Sequence, residues 1–176
     1  MKIVEVSRRG FTIDGIIDNE VRARNFGGVE KKVGNRTVNG EGRRNFLLYV
    51  SEEVAEQMKE MGCEVRYTTP RDENDVPRPF VSMNLSYFLK PVEVHLISNC
   101  VDTLLDENHV YQLNDVDFKN LGLVVELGKE KEHQNGVKYI PMFVSQVWAE
   151  IVPSYFANRY SYLNSQISEP DNLPFD

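Results

Sequence analysis

Basic and aromatic side chains interleave through the first third of the chain: Arg22, Arg24, Phe26, Lys31, Lys32, Arg36, Arg43, Arg44, Phe46 and Tyr49. A single-stranded nucleic acid needs both types. Cations displace the counterions condensed along phosphates, and aromatic faces stack on bases left exposed by the missing partner strand. Stacking contributes about 1–3 kcal/mol per base and accepts any base, so a few rings on one face suffice for a sequence-independent grip. Arginine beside a ring adds a cation–π contact. Phosphate contacts are expected from Arg22, Arg24, Arg43 and Arg44, with Lys31, Lys32 and Arg36 as further cations; Phe26, Tyr49, Phe80 and Trp148 are the candidate stacking platforms. Phe46 and Tyr49 have opposite parity on one strand, so at most one of them lies on each face. The competing reading of these residues is structural, with rings in a core and arginines on a solvated rim.

No other constellation suits a reaction. Acidic clusters occur at Asp72/Glu73/Asp75, Asp102/Asp106/Glu107 and Asp115/Asp117, but no His or Lys accompanies them at fixed spacing, as a metal-assisted nuclease would need. Residues 72–76 lack the glycine and the distant glutamate of a calcium loop, and no P-loop, GxGxxG or GxSxG is present. Cys63 and Cys100 are isolated, and His95, His109 and His133 are scattered, so reduced thiols and no zinc site are expected. The expectation is a non-enzymatic protein without metal or cofactor.

The net charge of −7 divides unevenly. Residues 1–50 carry ten Lys/Arg against six Asp/Glu, a balance of +4, while residues 51–176 carry ten against twenty-one, a balance of −11. Binding responds to a local patch rather than to the total, so an acidic pI does not exclude a polyanionic ligand.

The elements that must position these residues are mostly strands. Residues 3–6 and 11–17 read as a first strand broken near Arg9-Gly10, and 21–26 as a short second one. A polar stretch, 27–42, is too rich in glycine and charge to pack and reads as a long loop, of the kind usually functional or disordered. Strand character resumes at 44–50. One helix follows, capped by Ser51, started by Glu52 and Glu53, closed by Gly62, and lined on one face by Val54, Ala55, Met58 and Met61. Strands are expected at 63–68, 80–88 and 92–97, a loop at 70–79, and a helical turn at 103–108. Residues 121–127 and 137–152 form a long hairpin turned at Asn135-Gly136. Short strands, one inserted helix and glycine-rich turns predict a mainly β chain: an OB-like small barrel elaborated by extra strands and hairpins, with a β-sandwich as the alternative. Organisation follows as a nucleic-acid-binding domain over 1–152 and a flexible acidic C-terminal extension over 153–176.

The last residues, Ser168-Glu169-Pro170-Asp171-Asn172-Leu173-Pro174-Phe175-Asp176, set an apolar tip behind acidic ones, and the two prolines keep it out of helix and central strand. This tip resembles that of bacterial and phage single-stranded DNA-binding proteins, in which acidic residues precede Leu/Ile-Pro-Phe; here Asp176 follows the phenylalanine that is usually terminal. More diffusely, residues 41–50, 65–73 and 79–85, about half the chain with the helix between them, resemble phage and prophage single-stranded DNA-binding proteins of OB type. The resemblance implies an OB-type fold, a DNA-facing side, and a tip (Asp171, Leu173, Pro174, Phe175) that recruits replication or recombination proteins. No segment is long and apolar enough to span a membrane and no signal-peptide core is present, so the bacterial host cytoplasm is the expected location. Self-association is open. The rival class is a protein-interaction module, such as a phage-encoded inhibitor, an acidic DNA mimic or a structural component.

Overall fold

The computed structural model describes residues 1–153. The tip and most of the extension expected from 153 onward lie outside the described residues. Within them, the chain is mainly β, with fourteen strands and one α-helix. In order, these are β1 (Lys2–Ser7), β2 (Gly10–Ile16), β3 (Val21–Asn25), β4 (Lys31–Val33), β5 (Arg36–Asn39), β6 (Arg44–Tyr49), α1 (Glu52–Glu60), β7 (Arg66–Tyr67), β8 (Pro79–Leu85), β9 (Glu93–Ser98), β10 (Val101–Leu105), β11 (Phe118–Leu127), β12 (Lys131–Glu132), β13 (Lys138–Tyr139) and β14 (Met142–Ile151).

Ten strands form one sheet along the path β1-β2-β11-β14-β8-β6-β3, with β7 also beside β8, β9 beside β14 and β10 beyond β9. The ends of this path are joined by the chain itself, since β2 runs into β3 through a 3-10 turn at Asp18–Glu20. Five strand spacings of about 4.8 Å separate β2 from β3 across a flat sheet, roughly 24 Å, yet the five residue steps from Ile16 to Val21 reach at most about 18 Å. The sheet must therefore curl. Residues 10–25 then act as one bent strand that pairs with β11 at one end and with β6 at the other. This order, with β8 and β14 parallel to each other, β6 antiparallel to β8 and β11 antiparallel to β14, is consistent with an OB-like barrel. The ladder stays open at the bend, where side chains stitch it. The Phe118 N–H donates to Asp18 at 2.9 Å, and Arg24 binds the Asp18 carboxylate while donating to the Val116 carbonyl at 2.6 Å.

Alternation explains the core. Phe46 and Leu48 of β6 point inward against Val81, Met83 and Leu85 of β8, while Ile13, Leu121, Leu123 and Val147 fill the opposite wall. Ser51 caps α1 by accepting from the Val54 N–H, and Val54, Ala55 and Met58 bury its apolar face. Gly62, at φ +80, closes it as the left-handed residue of a Schellman motif, with the Gly62 N–H donating to Lys59 and the Cys63 N–H to Met58.

Four expectations change. Residues 3–17 are not one broken strand but a hairpin, β1 folding onto β2 with Ser7 opposite Gly10. The 27–42 segment is not structureless: it carries the β4–β5 hairpin, turned at Gly34 with φ +59. Residues 63–68 supply only the two-residue β7. Residues 103–108 are not a helical turn, because Val101–Leu105 is a strand paired with β9. Its turn residues, Asn99 and Cys100, both take positive φ, and a cysteine there hid the hairpin from turn chemistry. The long hairpin of β11 and β14 stands, crowned by β12–β13.

Candidate nucleic-acid interface

The outward face of β6 and β8 is the place where rings and cations meet. Asn45, Leu47 and Tyr49 alternate outward along β6 and pair across with Asn84, Ser82 and Phe80. Tyr49 and Phe80 lie 5.8 Å apart between ring centroids. The Arg78 guanidinium sits 4.8 Å over the Tyr49 ring, and Arg22 of β3, opposite Leu47, borders the same shallow cleft. Arg66 of β7 is the cross-strand neighbour of Phe80 on the other side.

Two loops rise beside this face. The 27–43 loop is anchored by asparagines: Asn25 donates to the carbonyls of Val29 and Arg43, and Asn39 to Arg43. Its hairpin holds Lys31, Lys32 and Arg36 exposed, with Lys32 paired to Glu30 at 3.0 Å. Across the face, the β12–β13 hairpin brings Lys131, His133 and Tyr139 against Arg43, Ser82, Asn84 and Phe143, enclosing a cleft of about 470 Å³. His133 stacks on Tyr139 with centroids 4.2 Å apart and approaches Glu64 at 3.2 Å. Burial pushes the Glu64 carboxyl up, but Arg66 and His133 outweigh it and hold it below the ordinary glutamate range. That carboxylate is thus neutralised by its neighbours rather than left to repel a phosphate. In an OB-like barrel this strand face and its two flanking loops form the surface that takes oligonucleotides.

The residues singled out from sequence divide on this frame. Arg22, Arg43, Tyr49 and Phe80 meet on the face or its rim, Lys31 borders Asn45 and Leu47, and Lys32 and Arg36 are exposed on the same β4–β5 hairpin. Among the described residues, Arg22, Lys31, Arg36, Arg43, Arg78 and Lys131 belong to no ion pair, so their charge is available. Arg24 and Arg44 are engaged internally. Arg24 binds Asp18 and lies 4.4 Å over the Phe118 ring; Arg44 pairs with Glu107 at 3.0 Å and lies 5.4 Å from the Tyr87 centroid. Phe26 is fully buried and stacks on Phe46 at 5.1 Å, which leaves no face for a base. Trp148 lies elsewhere, on the outer face of β14 opposite His95, with the rings 3.8 Å apart and 3° from parallel. Its surroundings are acidic: Asp102 holds His95, and Glu93 and Glu150 flank it on the paired strands.

Sequence reasoning passed over Arg66, Arg78, Lys131, Tyr139 and Phe143. The clean alternation of residues 80–88 sets Ser82, Asn84 and Ser86 on one face. Arg78 sits in a stretch read only as a loop, and its place over Tyr49 depends on the pairing of β6 with β8.

Residues 8–166 match the family model described as "Putative phage ssDNA-binding domain". No curated protein and no solved structure shows a match. The matched stretch runs through the whole barrel from β2 to β14, including the face that carries Tyr49, Phe80 and Arg22, and the chain therefore belongs to the phage single-stranded DNA-binding domain family.

Proposed function

We propose that this protein holds single-stranded DNA, without regard to sequence, on the outward face of β6 and β8, between the 27–43 loop and the β12–β13 hairpin. The observation that carries the reading is the cluster of Tyr49, Phe80, Arg78 and Arg22 on one exposed surface. Tyr49 and Phe80 are the stacking platforms. Arg22, Arg43, Arg78 and Lys131 follow the phosphates, and Lys31, Lys32 and Arg36 close over the strand from the loop. No catalytic group is required, and the role is protection and presentation of single strands during phage DNA replication or recombination in the host. The acidic tip, Asp171 with Leu173, Pro174 and Phe175, recruits partner enzymes without touching DNA.

Fluorescence anisotropy with labelled oligo-dT, and with duplex of equal length, at two salt concentrations tests the reading. Single strands are expected to bind tightly at low salt and duplex weakly. Affinity should fall with added salt at a slope of about 0.7 per phosphate contacted. Absence of single-strand binding at low salt would refute it, and equal affinity for duplex would make the protein a general nucleic-acid binder.

A further inference from the structure

Among the described residues, the ten-stranded sheet has free edges along β1, β3, β7 and β10. Three of them carry features that discourage pairing with another strand. β1 holds Lys2 and Glu5 and shifts register between Ile3 and Glu5. β3 holds Arg22 and Arg24, and Ala23 leaves the extended conformation at φ 49. β7 is two residues long. β10 has no such feature. Val101–Leu105 contains no proline and no lysine, keeps unbroken register with β9, and leaves Val101 62% and Leu104 65% exposed. Its one charge, Asp102, is held at 2.9 Å by His95 of β9.

We propose that β10 is the interface for a second copy of this chain, the two strands pairing antiparallel about a two-fold axis through Thr103. The register follows from two conditions. The Asn99–Cys100 turn has two residues, so its closing pair, Ser98 and Val101, exchanges hydrogen bonds within the hairpin. By alternation, Asp102 and Leu104 present N–H and C=O to the open side. A continued sheet also pairs only residues of the same parity, because a one-residue slip exchanges the faces.

Three registers meet both conditions with at least three strand residues overlapping. An axis through Asp102 sets two carboxylates directly opposite each other. An axis through Leu104 sets Asp102 against the second copy's Asp106. Only the axis through Thr103 opposes no like charges. It places Asp102 against Leu104, Val101 against Leu105 and the two Thr103 side chains together, with about four new backbone hydrogen bonds. Leu104 faces His95 across the hairpin and His95 faces Trp148, so the row on this face continues from Trp148 through His95 and Leu104 to the second copy's Asp102. The interface lies beyond β9, off the strands that carry Tyr49 and Phe80, and does not depend on how DNA is bound.

Cysteine trapping tests it on the full chain. In a Cys100→Ser background, Thr103→Cys is expected to give a covalent dimer under mild oxidation. A directly opposed, non-hydrogen-bonded pair brings Cα atoms to about 4.5 Å, inside the disulfide range of about 4.4–6.8 Å. Val4→Cys on β1 should stay monomeric. Sedimentation of the unmodified chain should show a monomer–dimer equilibrium that Leu104→Asp weakens at least about tenfold, since it sets a carboxylate directly opposite the second copy's Asp102. Binding of a short oligo-dT should not change, and this separates failure here from failure of the DNA-binding reading. A Thr103→Cys chain that remains monomeric on oxidation, a monomer at every concentration, or association indifferent to Leu104→Asp would each overturn the proposal.

Discussion

Arg24 and Asp18 join the two ends of the curled sheet. The carboxylate accepts from the Phe118 N–H on β11, and the guanidinium on β3 binds that carboxylate and the Val116 carbonyl. An arginine that looks from sequence like a phosphate ligand is thereby the clasp of the barrel. Burial pushes the Asp18 carboxyl up, but the Phe118 N–H and Arg24 outweigh it and hold the group below its ordinary value.

A clasp of this kind has a pH signature. A carboxyl whose pKa is depressed on folding contributes stability that is fully present above its unfolded pKa and is lost as pH falls through the folded one. Asp18→Asn should therefore cost about 1–2 kcal/mol at pH 7, a modest figure because the Asp18 side chain is 36% exposed and partly screened. The difference from the native chain should shrink as pH falls below the ordinary aspartate value of 3.8. Urea denaturation of both proteins across that range checks it; a difference that stays constant into acid would show that Asp18 acts through something other than its charge. Oligo-dT affinity at neutral pH should be unchanged.

Stacking and packing make opposite demands on the rings. Tyr49→Ala or Phe80→Ala should each weaken oligo-dT binding by about 1–3 kcal/mol with little effect on folding, and Tyr49→Phe should be nearly silent. Arg78→Ala should lower affinity and reduce the salt slope by about 0.7, the contribution of one phosphate contact. Phe26→Ala, by contrast, removes a fully buried ring and should cost about 3–5 kcal/mol of stability. Anisotropy titration together with denaturation of each variant separates the two classes. If Tyr49→Ala and Phe80→Ala bind like the native chain, the face assignment fails.

Trp148 supplies an optical test because it is the chain's one tryptophan. It lies five residues along β14 from Phe143, about 16 Å in an extended strand, against His95 and among carboxylates. Saturating oligo-dT should leave its emission nearly unchanged, and Trp148→Phe should bind normally. Strong quenching on binding would move the DNA path onto β9 and β14.

Much of this arrangement can be read from local pattern, and the remainder depends on long-range pairing. Local pattern marks 44–50 as a strand with both faces largely apolar and 80–88 as an alternating one, and the opposite parity of Phe46 and Tyr49 leaves only one of them outward. The cap at Ser51 and the stop at Gly62 are local chemistry, hence legible. Arg24 was indistinguishable from Arg22 because both sit on β3; what separates them is Asp18, delivered by a bend that exists only once the sheet curls. Trp148 looked like a free platform because its stacking partner, His95, is 53 positions away and reaches it only through the parallel pairing of β9 with β14. The β9–β10 turn was missed because Cys100 occupies a conformation usually given to Gly or Asn.

The acidic tip should act separately from the DNA face. Residues 169–176 contain Glu169, Asp171 and Asp176, so deleting them takes the net charge from −7 to −4 and removes anions that repel a polyanion. Oligo-dT affinity of the shortened chain should be equal or higher, most clearly at low salt, where charges act over a longer range. Capture of host replication proteins by immobilised protein should disappear if Leu173, Pro174 and Phe175 are the apolar anchor proposed for a partner's pocket with a basic rim. Phe175→Ala in the full chain should reproduce the loss of capture while leaving the charge at −7, which distinguishes anchoring from electrostatics. A large fall in DNA affinity on deletion would instead make these residues part of the DNA-binding surface.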